Sequence, residues 1–140
     1  MADRLIFEVA VDIALGGSAA LKAAHGEVLM IPFGGEVHGS IFNGTVLPGG
    51  TDVQTVDANG VRKMDARYML EGTDYTGAPC RIYVENVGYF PAGAHAMPFK
   101  TVPTFLTDSE ALAPLLHSAS FRGEGHPREG GVLIKIFLME

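Results

Sequence analysis

Residues 39–71 read GSIFNGTVLPGGTDVQTVDANGVRKMDARYMLE, three short alternating runs divided by two turn signals. The runs cover residues 41–47, 51–57 and 61–71. They are separated only by Pro48-Gly49-Gly50 and Ala58-Asn59-Gly60. Asn-Gly between alternating runs is a strong hairpin signal, because both residues tolerate positive φ. Pro-Gly-Gly marks a second tight reversal. The stretch predicts a three-stranded antiparallel meander, around which the remaining strands must pair.

The rest of the chain supplies those strands. In residues 4–14, Leu5, Phe7, Val9, Val11 and Ile13 share one face, as in a strand with an apolar inner side. Residues 18–24 are Ala-rich and read as a short helical turn or a loop. A second strand covers residues 27–32 and is stopped by Pro32 and Gly34-Gly35. Residues 36–47 read as a third, with Gly39 and Gly44 marking a bulge or bend. Beyond the meander, 72–79 is a loop, 80–88 a strand and 89–98 a loop at the mouth of the fold. Pro103 makes the strand at 99–107 an edge or bulged one. Residues 107–117 are the helix candidate: Thr107 and Glu110 have capping-box spacing, Leu112, Leu115 and Leu116 form a stripe, and Pro114 shortens it. Residues 120–122 form a short strand. Residues 132–139 form a terminal strand, apolar on both faces, that needs cover on both sides. Eight or nine strands and one helix predict an all-β barrel or sandwich.

At 140 residues, with 47% apolar and 19% charged residues, the chain is long enough for one domain with a proper core. The formal net charge is −6 and no basic cluster occurs, so no nucleic-acid footprint is present. Cys80 is the only cysteine, which excludes an internal disulfide and makes the cytoplasm the expected compartment. The apolar runs are too short for a spanning helix, so no membrane partner is expected.

The segments GSIFNGTVLPGGTD, DARYMLE, RIYVENVG, FKTVPTF and VLIKIFL, in that order, resemble the family known as domain of unknown function 3237. The Gly-rich turn before Asp52 and the Asp65-Ala66-Arg67-Tyr68 run are the specific parts. The resemblance implies an antiparallel β-barrel with a short helix packed at one end, and self-association into a homo-oligomer. One departure stands out: Val53 follows Asp52 where relatives carry Trp, which bears on pocket size.

Several residues are candidates for chemistry. Asp65 and Arg67 are two apart on one strand and share a face. They form either a solvated charge row with Arg81 or Glu85, or an interior pair in which Arg67 holds a ligand oxygen and Asp65 moves a proton. Asp52 either caps its turn or stands at a barrel rim as a general base. Tyr83 and Asn86 have opposite phase, as does Tyr68 relative to Asp65 and Arg67. A single lumen therefore cannot hold all of them without a bulge. Tyr68 and Tyr83 are core tyrosines or hydrogen-bond donors to an oxyanion. Glu36 and His38 share a face, but no further ligand lies at recognisable spacing and no metal is expected. His95, in the mouth loop, is either exposed or able to act on a bound ligand.

No phosphate-binding glycine loop and no nucleophile elbow occurs, and no cofactor is expected. The reading is a cofactor-independent enzyme of isomerase, cyclase, lyase or hydratase type, working by acid–base chemistry on a small apolar carbonyl or phenolic compound. Asp65, Arg67, Asp52 and Tyr83 would be catalytic. Tyr68, Asn86, His95, Glu36 and His38 would line the ligand site. The alternative is a non-catalytic carrier of a small hydrophobic or aromatic ligand.

Overall fold

The computed structural model describes residues 3–13, 17–93 and 97–140. The described strands are β1 (Arg4–Asp12), β2 (Ala19–Ala23), β3 (Gly26–Pro32), β4 (Gly34–Gly39), β5 (Phe42–Val46), β6 (Thr51–Val56), β7 (Arg62–Asp74), β8 (Pro79–Phe90), β9 (Phe99–Thr107), β10 (Phe121–Arg128) and β11 (Gly131–Leu138). A short helix, α1 (Ala113–Leu116), lies between β9 and β10. Eight strands close an antiparallel barrel in the order β7-β5-β4-β1-β11-β10-β9-β8, and β8 pairs back onto β7. Strands β6, β3 and β2 continue outward from β7 as an extension beside one end of the barrel.

The long strand β7 makes this shape possible. Its first half pairs with β6, from Arg62↔Val56 to Arg67↔Thr51. Its second half pairs with β5, from Leu70↔Val46 to Asp74↔Phe42. So β5 and β6 are not hairpin partners, and the predicted meander is corrected. Pro48-Gly49-Gly50 is a detour between two segments that run the same way along β7. Leu47 N–H still bonds Met69 O at 2.8 Å before the chain swings out, and Gly49 has a φ of 106°. The Asn59-Gly60 turn does join β6 to β7 as a hairpin, with Asp57 Oδ1 accepting from the N–H groups of Asn59 and Val61.

Other expectations change as well. Residues 18–24 contain a strand, not a helical turn: Ala24 and His25 form a tight turn, and the open edge of β3 takes up β2 from Ala19↔Met30 to Ala23↔Gly26. The single strand expected at 36–47 is two, β4 and β5, folded on each other. The Asn43 amide closes that hairpin by bonding both N–H and C=O of Gly39 at 3.2 Å. The helix has only four residues. Thr107 forms no capping box; its hydroxyl donates to Arg81 O at 2.6 Å, while Ser109 Oγ accepts from Leu112 N at 3.1 Å and starts the turn. The strand with Pro103 is neither an edge nor bulged: β8 pairs it in unbroken register, with Pro103 opposite Asn86, and β10 pairs it only at Phe99–Thr101, so Pro103 sits where β9 has a neighbour on one side alone.

The barrel is filled from one end only. Phe7, Phe42, Leu70 and Ile82 are fully buried there, and Leu112 and Leu116 seal that end from α1. Phe105 meets Phe7 and Phe121 edge-on, with ring centroids 6.0 and 5.1 Å apart. Each such side chain contributes about 1.5–3 kcal/mol through burial. On β11, Ile134, Ile136 and Leu138 point inward. The outward Phe137 is covered by the Arg122 guanidinium, 4.1 Å from its ring centre. Among the described residues no helix is long and apolar enough to cross a membrane.

Candidate active site

At the end opposite α1 the barrel is hollow. A cavity of about 440 Å³ opens between the inner faces of β1, β7, β8, β9 and β11 and the inward side of β3 and β6. Such a volume suits a small organic molecule. Its walls are mostly apolar: Val11, Ile31, Phe33 and Met64 line the depth, and Phe90 and Phe99 meet edge-on at 5.8 Å near the mouth.

Strand alternation decides which polar groups enter this space. On β7 the inward positions are Met64, Ala66, Tyr68 and Leu70. On β8 they include Val84 and Asn86, and on β6 they are Asp52 and Gln54. The register sets Asp52 opposite Ala66, and Ala66 opposite Asn86. Asp52 and Asn86 therefore stand two strand spacings apart, roughly 9–10 Å. Only the methyl group of Ala66 lies between them.

Four buried side-chain oxygens or hydroxyls of the described residues lack any hydrogen-bond partner: Asp52 Oδ1, Tyr68 Oη, Asn86 Oδ1 and Thr101 Oγ1. All four belong to residues lining this cavity. An unpartnered buried polar group costs about 1–3 kcal/mol, so each of the four would gain from a hydrogen bond made within the hollow. Tyr68, Asn86 and Thr101 are each at least nine-tenths buried.

Asp52 is half-buried and fixed by its second oxygen, which accepts from Gln54 Nε2 at 2.8 Å. Burial pushes its carboxyl above the ordinary carboxylate value. Asp65 behind the strand adds to the rise, while the Gln54 hydrogen bond and the Arg62 charge oppose it. Burial also drives the Tyr68 hydroxyl far above the usual phenol value, with the Asp52 charge adding to it, so Tyr68 remains a neutral donor at physiological pH. Its ring is held edge-on to Phe33, 5.1 Å between centres.

The other predicted residues lie elsewhere. Asp65 and Arg67 point outward and pair with each other at 3.3 Å, Arg67 being 60% exposed. The interior reading of that pair is therefore corrected: both occupy the odd positions of β7, whose even positions face the hollow. Tyr83 is likewise on the outer side of β8, donating to Glu85 at 2.9 Å. Glu36 and His38 are exposed on β4 and contact each other at 3.3 Å. Among the described residues no group of three His, Cys, Asp or Glu side chains could hold a metal ion. His95 lies outside the described residues. Val53 points away from the cavity, opposite Asp65, so its identity does not set the pocket's size. Gln54, Arg62 and Thr101 carry no motif signal in the sequence, and Ala66 enters it only as part of the Asp65-Ala66-Arg67-Tyr68 run. Each follows from one parity rule: it lies an even number of residues from an inward neighbour on its strand.

Known proteins share this architecture. A family described as protein of unknown function (DUF3237) matches residues 4–139. A UPF0311 protein of Clostridium acetobutylicum is 40% identical over 89 residues, which cover 54% of this chain and 54% of that protein; the match thus spans about half the relative's length. The solved structure of a protein of unknown function from the same organism superposes with a TM-score of 0.81 at 27% identity, covering 100% of both chains. The solved structure of an enzyme from Penicillium herquei superposes with a TM-score of 0.72 at 21% identity, over 99% of this chain and 94% of that one, a likeness of fold alone. With its matched segment reaching from the first barrel strand to the last, the chain belongs to the DUF3237 family.

Proposed function

We propose that the protein is a cofactor-independent enzyme that moves a proton within a small, mostly apolar carbonyl or phenolic compound held in the barrel mouth. The observation that supports this reading is the convergence of four unpartnered buried polar groups on one apolar hollow. In the proposed reaction Asp52 Oδ1 takes a proton from an acidic C–H or O–H of the ligand. The Tyr68 hydroxyl donates to the oxygen on which negative charge develops. Asn86 and Thr101 bind a second oxygen across the cavity. The proton returns from Asp52 to another atom of the same molecule, so isomerisation, cyclisation, internal addition or retro-aldol cleavage needs no net oxidation or reduction. A carboxylate whose basicity is raised by burial suits this task, because its proton affinity lies nearer neutrality. Asp65, Arg67, Tyr83, Glu36 and His38 have no part in this reaction.

The test does not require knowledge of the product. A panel of aryl ketones, lactones and phenolic carbonyl compounds is screened for a ligand-induced rise in Tm. The binders are then followed by proton NMR in deuterated water for exchange beside the carbonyl. Asp52→Asn should lower that exchange by about 10²–10⁴-fold while leaving binding intact, and Tyr68→Phe should lower it less. Compounds that bind tightly and never exchange, in the native protein as in Asp52→Asn, would favour the carrier reading instead.

A further inference from the structure

Behind the cavity face of Asp52 runs a chain of hydrogen bonds that the reaction above does not itself consume. Arg62 Nη1 donates to Gln54 Oε1 at 3.0 Å, and Gln54 Nε2 donates to Asp52 Oδ2 at 2.8 Å. Asp52 and Gln54 are two apart on β6 and share its inward face, and all three residues line the cavity. The order of this chain is dictated by chemistry. A guanidinium can only donate, so the amide oxygen of Gln54 must turn to Arg62. The amide NH₂ is then the end that meets Asp52. The Asp52 carboxylate can only accept, so the two ends of the chain orient the amide in the same sense, and Arg62 fixes the end remote from Asp52.

We propose that Gln54 and Arg62 are positioning residues for Asp52: together they pin the carboxylate through Oδ2 and leave Oδ1 as the one oxygen that meets the ligand. The inference rests on the reading of Asp52 as the base. Arg62 and Tyr68 face Asp52 from β7, Asp65 acts from behind that strand through its charge, which raises the carboxyl's proton affinity, and through its backbone, which lowers it, and Ile31 stands opposite on β3. Gln54 is the side chain that donates to its carboxylate, and Arg62 reaches it both through Gln54 and by its charge.

The experiment follows the Asp52 carboxyl carbon by NMR in protein labelled at aspartate, with its resonance assigned by its loss in Asp52→Asn. Gln54→Leu should raise the Asp52 titration midpoint by roughly one pH unit, the size expected on losing a hydrogen bond to a charged acceptor. Gln54→Glu has the same shape, loses the donor and adds a charge, so it should raise the midpoint further. Arg62→Met should raise it more in the native background than in the Gln54→Leu background, where only the direct charge of Arg62 is left to lose. Arg62→Lys keeps a donor and should stay near the native midpoint. An unmoved midpoint in both Gln54 variants would overturn the proposal. So would an Arg62→Met rise of equal size with and without Gln54, since Arg62 would then be only a nearby charge. No turnover is read, so an Asp52 that fails the exchange test and titrates as described would refute the reaction and leave the relay standing.

Discussion

Asp52 carries a stability cost that can be measured apart from any activity. Its carboxyl has a higher proton affinity folded than unfolded, because burial disfavours the charge. The protonated form therefore stabilises the fold at pH values below the unfolded carboxylate's ordinary value, and that contribution is lost as pH rises through the higher folded value. Asp52→Asn is neutral at every pH and keeps it. The variant should melt above the native protein at about pH 8, and the gap should close near about pH 4, as read by thermal denaturation across that range. A gap that stays constant into acid would mean that burial is not what strains this residue. The same residue shows how much of the site the sequence revealed. Alternation correctly set Tyr68 apart from Asp65 and Arg67, and Asn86 apart from Tyr83. The choice of face then followed the charged pair, because Arg beside Asp resembles a ligand clamp. On β7 the even positions are Met64, Ala66, Tyr68 and Leu70, and the odd ones include Lys63, Asp65, Arg67 and Glu71. The apolar set is the interior, and chemistry has to be sought among its few polar members.

Among the elements, β10 owes its role to side chains it does not have. Gly123 and Gly125 face inward, and the space beside them is filled from β9. A Cβ at Gly125 would fall 2.0 Å from Cζ of Phe99, and one at Gly123 would fall 2.2 Å from Oγ1 of Thr101. Phe99 and Thr101 both line the cavity, so two missing methyl groups on one strand seat an aromatic wall and a polar group on the next. Gly125→Ala should force the Phe99 ring off Phe90 and into the mouth. We expect a loss of about 1–3 kcal/mol by denaturant unfolding, together with weaker binding of any ligand found in the screen. A crystal structure of the variant with Phe99 unmoved would contradict this account. The glycines also explain why only residues 120–122 read as strand: Gly123, Gly125 and Pro127 erase the apolar alternation that would have extended it to Arg128. The Pro48-Gly49-Gly50 segment misled for a related reason. Turn chemistry specifies a local backbone shape, and whether the chain then reverses or rejoins the same partner is decided by β7, more than a dozen residues downstream.

For the whole molecule, the division of one barrel into a packed end and an empty end is the property on which the proposed function depends. The packed end supplies the stability: Phe7 has no exposed surface and touches two aromatic neighbours. Phe7→Ala should cost about 3–5 kcal/mol, because the surrounding strands are locked in a closed ladder and cannot collapse into the space. Ala66 occupies the other end, between Asp52 and Asn86, partly buried against the edge of the core and lining the hollow. Enlarging it should not overpack the core. Ala66→Leu is expected to leave stability within about 1 kcal/mol of native, since new apolar contacts offset the lost freedom of the side chain. The same change places a branched side chain where the ligand would bridge the two polar walls, and should abolish the ligand-induced rise in Tm. Measured together, the two variants separate the roles of the two ends. Phe7→Ala should lower Tm in the absence of ligand, yet any fraction that stays folded should still bind. Ala66→Leu should melt like the native protein and not respond to ligand. If Ala66→Leu binds as well as the native protein, the ligand does not lie between Asp52 and Asn86, and the proposed chemistry loses its geometry even though the barrel stands.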